Sequence, residues 1–147
     1  MNTAVMTRTN NIPLNVTYNV AIGVDALIIQ DMVYCRMGLQ VPLHASTQTA
    51  CSTVEQVEFF ERVGFARAIL ERNLSGAQIA QISNNTSIEL EAFIHGAICV
   101  CHSGRCFLSR STSERSGNRG QCSQPCRLPY DLTDGNGAIY IKGKHLL

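Results

Sequence analysis

Four short aliphatic runs, separated by stretches of helical spacing, constrain this chain more than any other feature. They are "DALIIQD" (25–31), "VPLHAS" (41–46), "FARAIL" (65–70) and "SIELEAFIHG" (87–96), the last alternating at Ile88, Leu90, Ala92 and Ile94. Runs of this length and composition predict buried strands. Between them, "MVYCRMGL" (32–39) predicts a short helical piece. "TACSTVEQVEFFERVG" (49–64) predicts a helix, with Val54, Val57, Phe60 and Val63 three apart and Gly64 where a C′ glycine belongs. "SGAQIAQIS" (75–83) predicts another, with Ser75 as N-cap. Strands alternating with helices predict parallel βα units. Four units are half of an eight-stranded barrel, which takes roughly 250 residues, and this chain has 147. The expected fold is therefore α/β: parallel βα units forming part of a TIM-type (β/α) barrel over residues 1–98. Residues 99–147 are expected to add a cysteine-rich irregular segment of the same domain. That segment carries a short strand, "AIYIKG" (138–143), entered by a turn at Asn136–Gly137. Before Asp25 the sequence has room for one helix (15–24) and shows no convincing strand.

Charge is unevenly spread although the net value is only +1. Residues 1–98 carry more acids than arginines. Residues 99–127 carry Arg105, Arg110, Arg115, Arg119 and Arg127 against Glu114 alone. A locally basic surface suits an anionic partner such as RNA, and equally a loop solvated by its arginines. The N-terminus "MNTAVMTRTNN" lacks the apolar core of a signal peptide, and no run approaches the ~18 apolar residues of a membrane span. The expected setting is the cytoplasm, where thiols stay reduced, and an odd count of seven cysteines agrees.

The basic stretch is also the cysteine-rich one. "HGAICVCHSGRC" (95–106) holds Cys99, Cys101 and Cys106, with Gly104 allowing a tight reversal, and Cys122 and Cys126 form a C-x₃-C pair further on. Three chemistries suit such spacing. The thiolates can wrap a soft metal or an iron–sulfur cluster. One can act as a nucleophile beside His95, His102 or His44. Or they are inert. Cys35 and Cys51 fall in helical patterns and read as small hydrophobes. The cluster follows the fourth strand directly, at the edge where parallel α/β folds carry their functional loops. Gln30, Asp31, His44, Ser46, Glu71, Arg72 and His95 end strands at the same edge. Glu91 falls opposite its strand's apolar residues and, if buried, needs a partner. An arginine of the cysteine loop is the expected one.

"EAFIHGAICVCHSGRCFLS", Glu91 to Ser109, resembles the signature of the collagenase-like peptidase family, peptidase family U32. The fixed positions of that signature fall on Glu91, Phe93, Gly96, Ala97, Ile98, Cys99, Gly104, Cys106, Leu108 and Ser109. "GVDALIIQD", "LHASTQ" and "NRGQCSQPCRLPY" agree as well. The resemblance implies a barrel-type α/β domain and a peptidase acting in proteolysis, with no agreed catalytic residues; Glu91, His95 and His44 are the candidates that this chain's own residues offer. It also implies an alternative, because other members of the superfamily act in oxygen-independent hydroxylation of tRNA, rRNA or a ubiquinone precursor. Those hold a four-iron, four-sulfur cluster on four cysteines. By position Cys99, Cys106 and Cys122 match three ligands, and Cys126 is the substitute for the fourth. A third reading is an inactive truncated remnant. The chain is further expected to be an internal fragment, with "ALII" exposing an unpaired apolar edge. On its own it should then be marginal or self-associating.

Overall fold

A computed structural model describes residues 3–6, 21 and 23–145. The chain divides into two compact units, Met1–Arg105 and Cys106–Leu147.

The first unit is a parallel sheet with helices on one face. Its strands are β1 (Thr3–Met6), β2 (Ala26–Ile29), β3 (Leu43–Ala45), β4 (Arg67–Ile69) and β5 (Glu89–Glu91), paired in chain order. Neighbours are parallel throughout, with Ile29 opposite Ala45, Ala45 opposite Ala68, and Ala68 opposite Leu90. Two helices supply the crossovers, α1 (Val54–Arg62) and α2 (Gly76–Asn85). Both begin in capping boxes: Thr53 exchanges hydrogen bonds with Gln56, and Ser75 with Gln78. Each box satisfies backbone N–H groups that a helix start leaves orphaned. The expected helix from residue 49 starts at Val54 because Thr53 caps it. It ends where Gly64 takes φ +94°.

One face of the sheet makes the core. Leu27, Ile29, Ala45, Ala68 and Leu70 pack with Val57 and Phe60 of α1, Ile82 of α2, Phe65 and Cys51. Phe60 and Phe65 meet edge to face with centroids 5.1 Å apart. Cys51 is fully buried, as expected of a small hydrophobe, but it bridges to Leu70 rather than lying in a helix. Cys35 lies on the 3₁₀ turn Met32–Arg36 and is partly buried against the core.

Three expectations are corrected. A strand precedes Asp25: Thr3–Met6 pairs in parallel with Ala26–Ile29, so "ALII" is an inner strand and not an open edge. Four residues between polar flanks are too few for periodicity to register. The helix expected over 15–24 lies outside the described residues, apart from its last positions. The fourth expected strand is shorter than its alternation suggests. It ends at Glu91, and Ile94 is 99% exposed.

The second unit has one short helix, α3 (Leu108–Thr112), packed against 3₁₀ turns at Gly117–Arg119 and Pro125–Arg127. It closes on an antiparallel ribbon, β6 (Tyr130–Thr133) with β7 (Ile139–Lys144). The expected strand at 138–143 and the turn at Asn136–Gly137 are present. Asp134 organises that turn, its Oδ1 accepting from the N–H groups of Asn136 and Ala138. The partner strand β6 was not foreseen, because "YDLT" alternates over too few residues.

Candidate functional site

The sheet's second face carries charge. His44, Arg67 and Glu89 stand side by side across β3, β4 and β5. Residues two apart share a face, so Glu91 joins Glu89 there. Arg67 holds both carboxylates, Nη2 to Glu89 at 2.7 Å and Nη1 to Glu91 at 3.2 Å. Glu91 therefore has its arginine, but from the neighbouring strand rather than from the cysteine loop, and it is exposed rather than buried. His44 is 3% exposed. Burial pushes its pKa down, and the Arg67 charge adds to that against the pull of Glu91 and Glu89. A neutral imidazole beside a cation and two carboxylates has the makings of a proton-handling group.

At the carboxyl ends of the strands, the loop after β5 is tied down residue by residue. Glu71, 5% exposed at the end of β4, accepts from the backbone N–H and the hydroxyl of Ser103 at 3.0 and 3.1 Å. Arg105 N–H closes a turn onto the His102 carbonyl at 3.2 Å. Within that turn Gly104 has φ +72° and lies against the Gln48 backbone, where a Cβ would collide with the carbonyl oxygen. The expected reversal at Gly104 is thus present, and its cause is both the left-handed backbone and the close approach. Gln30 reaches the same carbonyl through Nε2 at 3.4 Å. Arg72 stacks over Phe93 at 3.9 Å and donates to the Ala97 carbonyl.

In the second unit Cys106 and Cys122 both lie beside Gly117. The Cys106 carbonyl and the Cys122 Cβ both lie 3.8 Å from where a Cβ on Gly117 would stand. Cys122 Sγ accepts from the Ser109 hydroxyl at 3.7 Å and from the Gln124 N–H at 3.4 Å. Cys126 lies on the turn packed against α3.

Of the expected residues, the structure unites His44 with Glu91 through Arg67, and Cys106, Cys122 and Cys126 belong to the second unit. Cys99 belongs to the first unit. His95 is exposed in the loop and does not end a strand. Among the described residues, no three His, Cys, Asp or Glu side chains form a metal-ready group. The donor chemistry nevertheless fits an iron–sulfur cluster in kind. Cys122 is a thiol already receiving N–H and O–H hydrogen bonds, the contacts by which proteins tune such clusters. Arg67, Glu89, Ser103 and Ser109 escaped the sequence-based list of site residues. The available signal for Arg67 was a charge in the middle of an otherwise apolar strand, "FARAIL".

A sequentially ordered parallel sheet with crossover helices, its strand ends met by the loop that follows β5, defines the first unit as an α/β domain. The chain belongs to peptidase family U32, which matches it over residues 1–147. It is 48% identical to a 23S rRNA 5-hydroxycytidine synthase of Escherichia coli (strain K12), over 85% of this chain and 19% of that protein. It is 42% identical to tRNA hydroxylation protein P1 of Bacillus subtilis (strain 168), over 82% of this chain and 28% of that protein. A collagenase of Porphyromonas gingivalis is 31% identical, over 80% of this chain and 31% of that protein. The chain thus spans about a fifth to a third of the length of these relatives. A solved U32 peptidase shares the fold, with a TM-score of 0.50 over 61% of this chain and 44% of its own, at 20% identity. No helix among the described residues is long and apolar enough to cross a membrane.

Proposed function

We propose that this chain is part of an iron–sulfur protein that hydroxylates RNA without using molecular oxygen. The order of resemblance favours this over proteolysis, the first expectation. Relatives named for rRNA and tRNA hydroxylation are 48% and 42% identical, against 31% for the collagenase. The geometric observation that supports the reading is Cys122, whose sulfur accepts hydrogen bonds from the Ser109 hydroxyl and the Gln124 N–H, with no histidine in those contacts. Cys99, Cys106 and Cys122 would supply three thiolates and Cys126 the fourth. When bound, a cluster supplies one-electron chemistry. The arginines of 99–127 would meet the RNA backbone. His44, held neutral, would move a proton on the sheet face. The sequential parallel strand order is that of a barrel wall, and the unit fits an arc of a TIM-type barrel.

Anaerobic purification followed by a visible spectrum and an iron assay tests the reading. The expected result is a brown protein whose iron is lost in Cys99→Ala and Cys106→Ala. Iron content unchanged in both variants would sink it. The peptidase reading keeps the collagenase relative and a second relative, named as an uncharacterized protease, at 38% identity. It predicts gelatin cleavage by the cluster-free chain.

A further inference from the structure

The loop that follows β5 keeps apolar side chains in solvent while its backbone is pinned. Phe93 is 46% exposed, Val100 50% and Ile94 99%. A slack loop would turn such residues inward. Here the Ser103 N–H and hydroxyl are tied to buried Glu71, Gly104 lies against the Gln48 carbonyl, and the Ala97 carbonyl accepts from Arg72. Apolar surface held in the open marks an interaction site.

Arg72 indicates the chemistry of the partner. It follows Glu71 at the carboxyl end of β4, it is exposed, and its guanidinium carbon stands 3.9 Å over the Phe93 ring. The bond from Nη1 to the Ala97 carbonyl, at 3.4 Å, fixes the plane. Among the described residues no carboxylate pairs with this guanidinium. The loop from Ala92 to Arg105 carries no acidic residue, and Arg105 adds a second positive charge. The result is a flat cation on a flat ring, open on its outer side. Nucleobases stack on aromatic rings and on guanidinium planes, and the edge N–H groups of arginine suit a phosphate. An apolar peptide would cover Ile94 and Val100 but leave the cation without a counter-charge. We propose that Arg72 and Phe93 form a platform on which an unpaired base of RNA stacks, with the adjoining phosphate at the edge of Arg72. The proposal rests on the reading above that the substrate is RNA, and it does not involve the thiols.

The test uses the full chain and a fluorescent single-stranded oligoribonucleotide of cytidine and uridine, alone and paired with its complement. Anisotropy gives the affinity over a range of salt, and the thermal midpoint of each variant is measured beside it. Wild type is expected to prefer the single strand, because only an unpaired base offers its face. Phe93→Leu keeps the apolar bulk and loses the ring; Arg72→Lys keeps the charge and loses the plane. Each is expected to bind about tenfold more weakly, with an unchanged slope against salt, while Phe93→Tyr binds as wild type does. Wild-type affinity in both Phe93→Leu and Arg72→Lys overturns the proposal and leaves the RNA reading standing, and so does equal binding of single strand and duplex. A wild-type chain that binds neither overturns both. Should Phe93→Leu melt early, Arg72→Lys decides: weaker binding supports the proposal, and wild-type binding overturns it. A dimer in sizing that Phe93→Leu dissolves assigns this surface to a second copy of the chain and overturns the proposal.

Discussion

Gly104 and His44 show two ways a single residue can be committed. At Gly104 the backbone is left-handed and pressed against the Gln48 carbonyl. Gly104→Ala therefore meets both a conformational and a steric penalty. It should lower unfolding free energy by more than about 2 kcal/mol, read as a drop in denaturant midpoint. His44 is committed through its proton. Its pKa in the folded chain lies below the ordinary 6.5 because burial disfavours the imidazolium. Below pH 6.5 the unfolded chain binds a proton that the folded one resists, so stability falls as pH drops from there towards the folded pKa. Above 6.5 both forms are neutral and His44 contributes no slope. His44→Gln should flatten the stability profile as pH falls from about 6.5, measured by urea unfolding through the mildly acidic range. An unchanged slope would place the titrating group elsewhere.

At the scale of elements, caps and cross-strand pairs are the removable parts. Thr53→Ala breaks the capping box of α1 and should cost about 1 kcal/mol, measured by thermal or urea unfolding. Arg67 bridges Glu89 and Glu91 on β5, whose side chains are 68% and 45% exposed. The pairs are therefore screened by water, and Arg67→Ala should cost only about 1 kcal/mol, shrinking in high salt. These elements differ in how far the sequence reveals them. Helix α2 and its Ser75 cap are legible because capping and periodicity agree. Strand β5 reads too long because Ala92 and Ile94 continue an alternation after the backbone pairing with β4 has ended. Alternation reports a pattern of side chains, whereas a strand also needs a neighbour. Strands β1 and β6 were missed because four residues carry almost no period.

For the whole molecule, the parallel α/β class was legible from the alternation of runs, and the family from Glu91 to Ser109. The site was less so. Spacing paired Cys99 with Cys106 and Cys122 with Cys126, but the hydrogen bond that Cys122 accepts from Ser109 joins it to a residue thirteen positions earlier in the chain. The salt bridges of Arg67 likewise join positions more than twenty residues apart. No local pattern encodes such pairs. The central claim, that this chain serves RNA hydroxylation through its thiols, is tested most directly on RNA. Nucleosides from total RNA are compared by mass spectrometry in cells lacking the gene, and in the same cells given back the wild-type or the Cys122→Ala form. The account predicts that a hydroxylated pyrimidine vanishes on deletion, returns with the wild type and stays absent with Cys122→Ala. A nucleoside profile untouched by the deletion, or fully restored by Cys122→Ala, would contradict it.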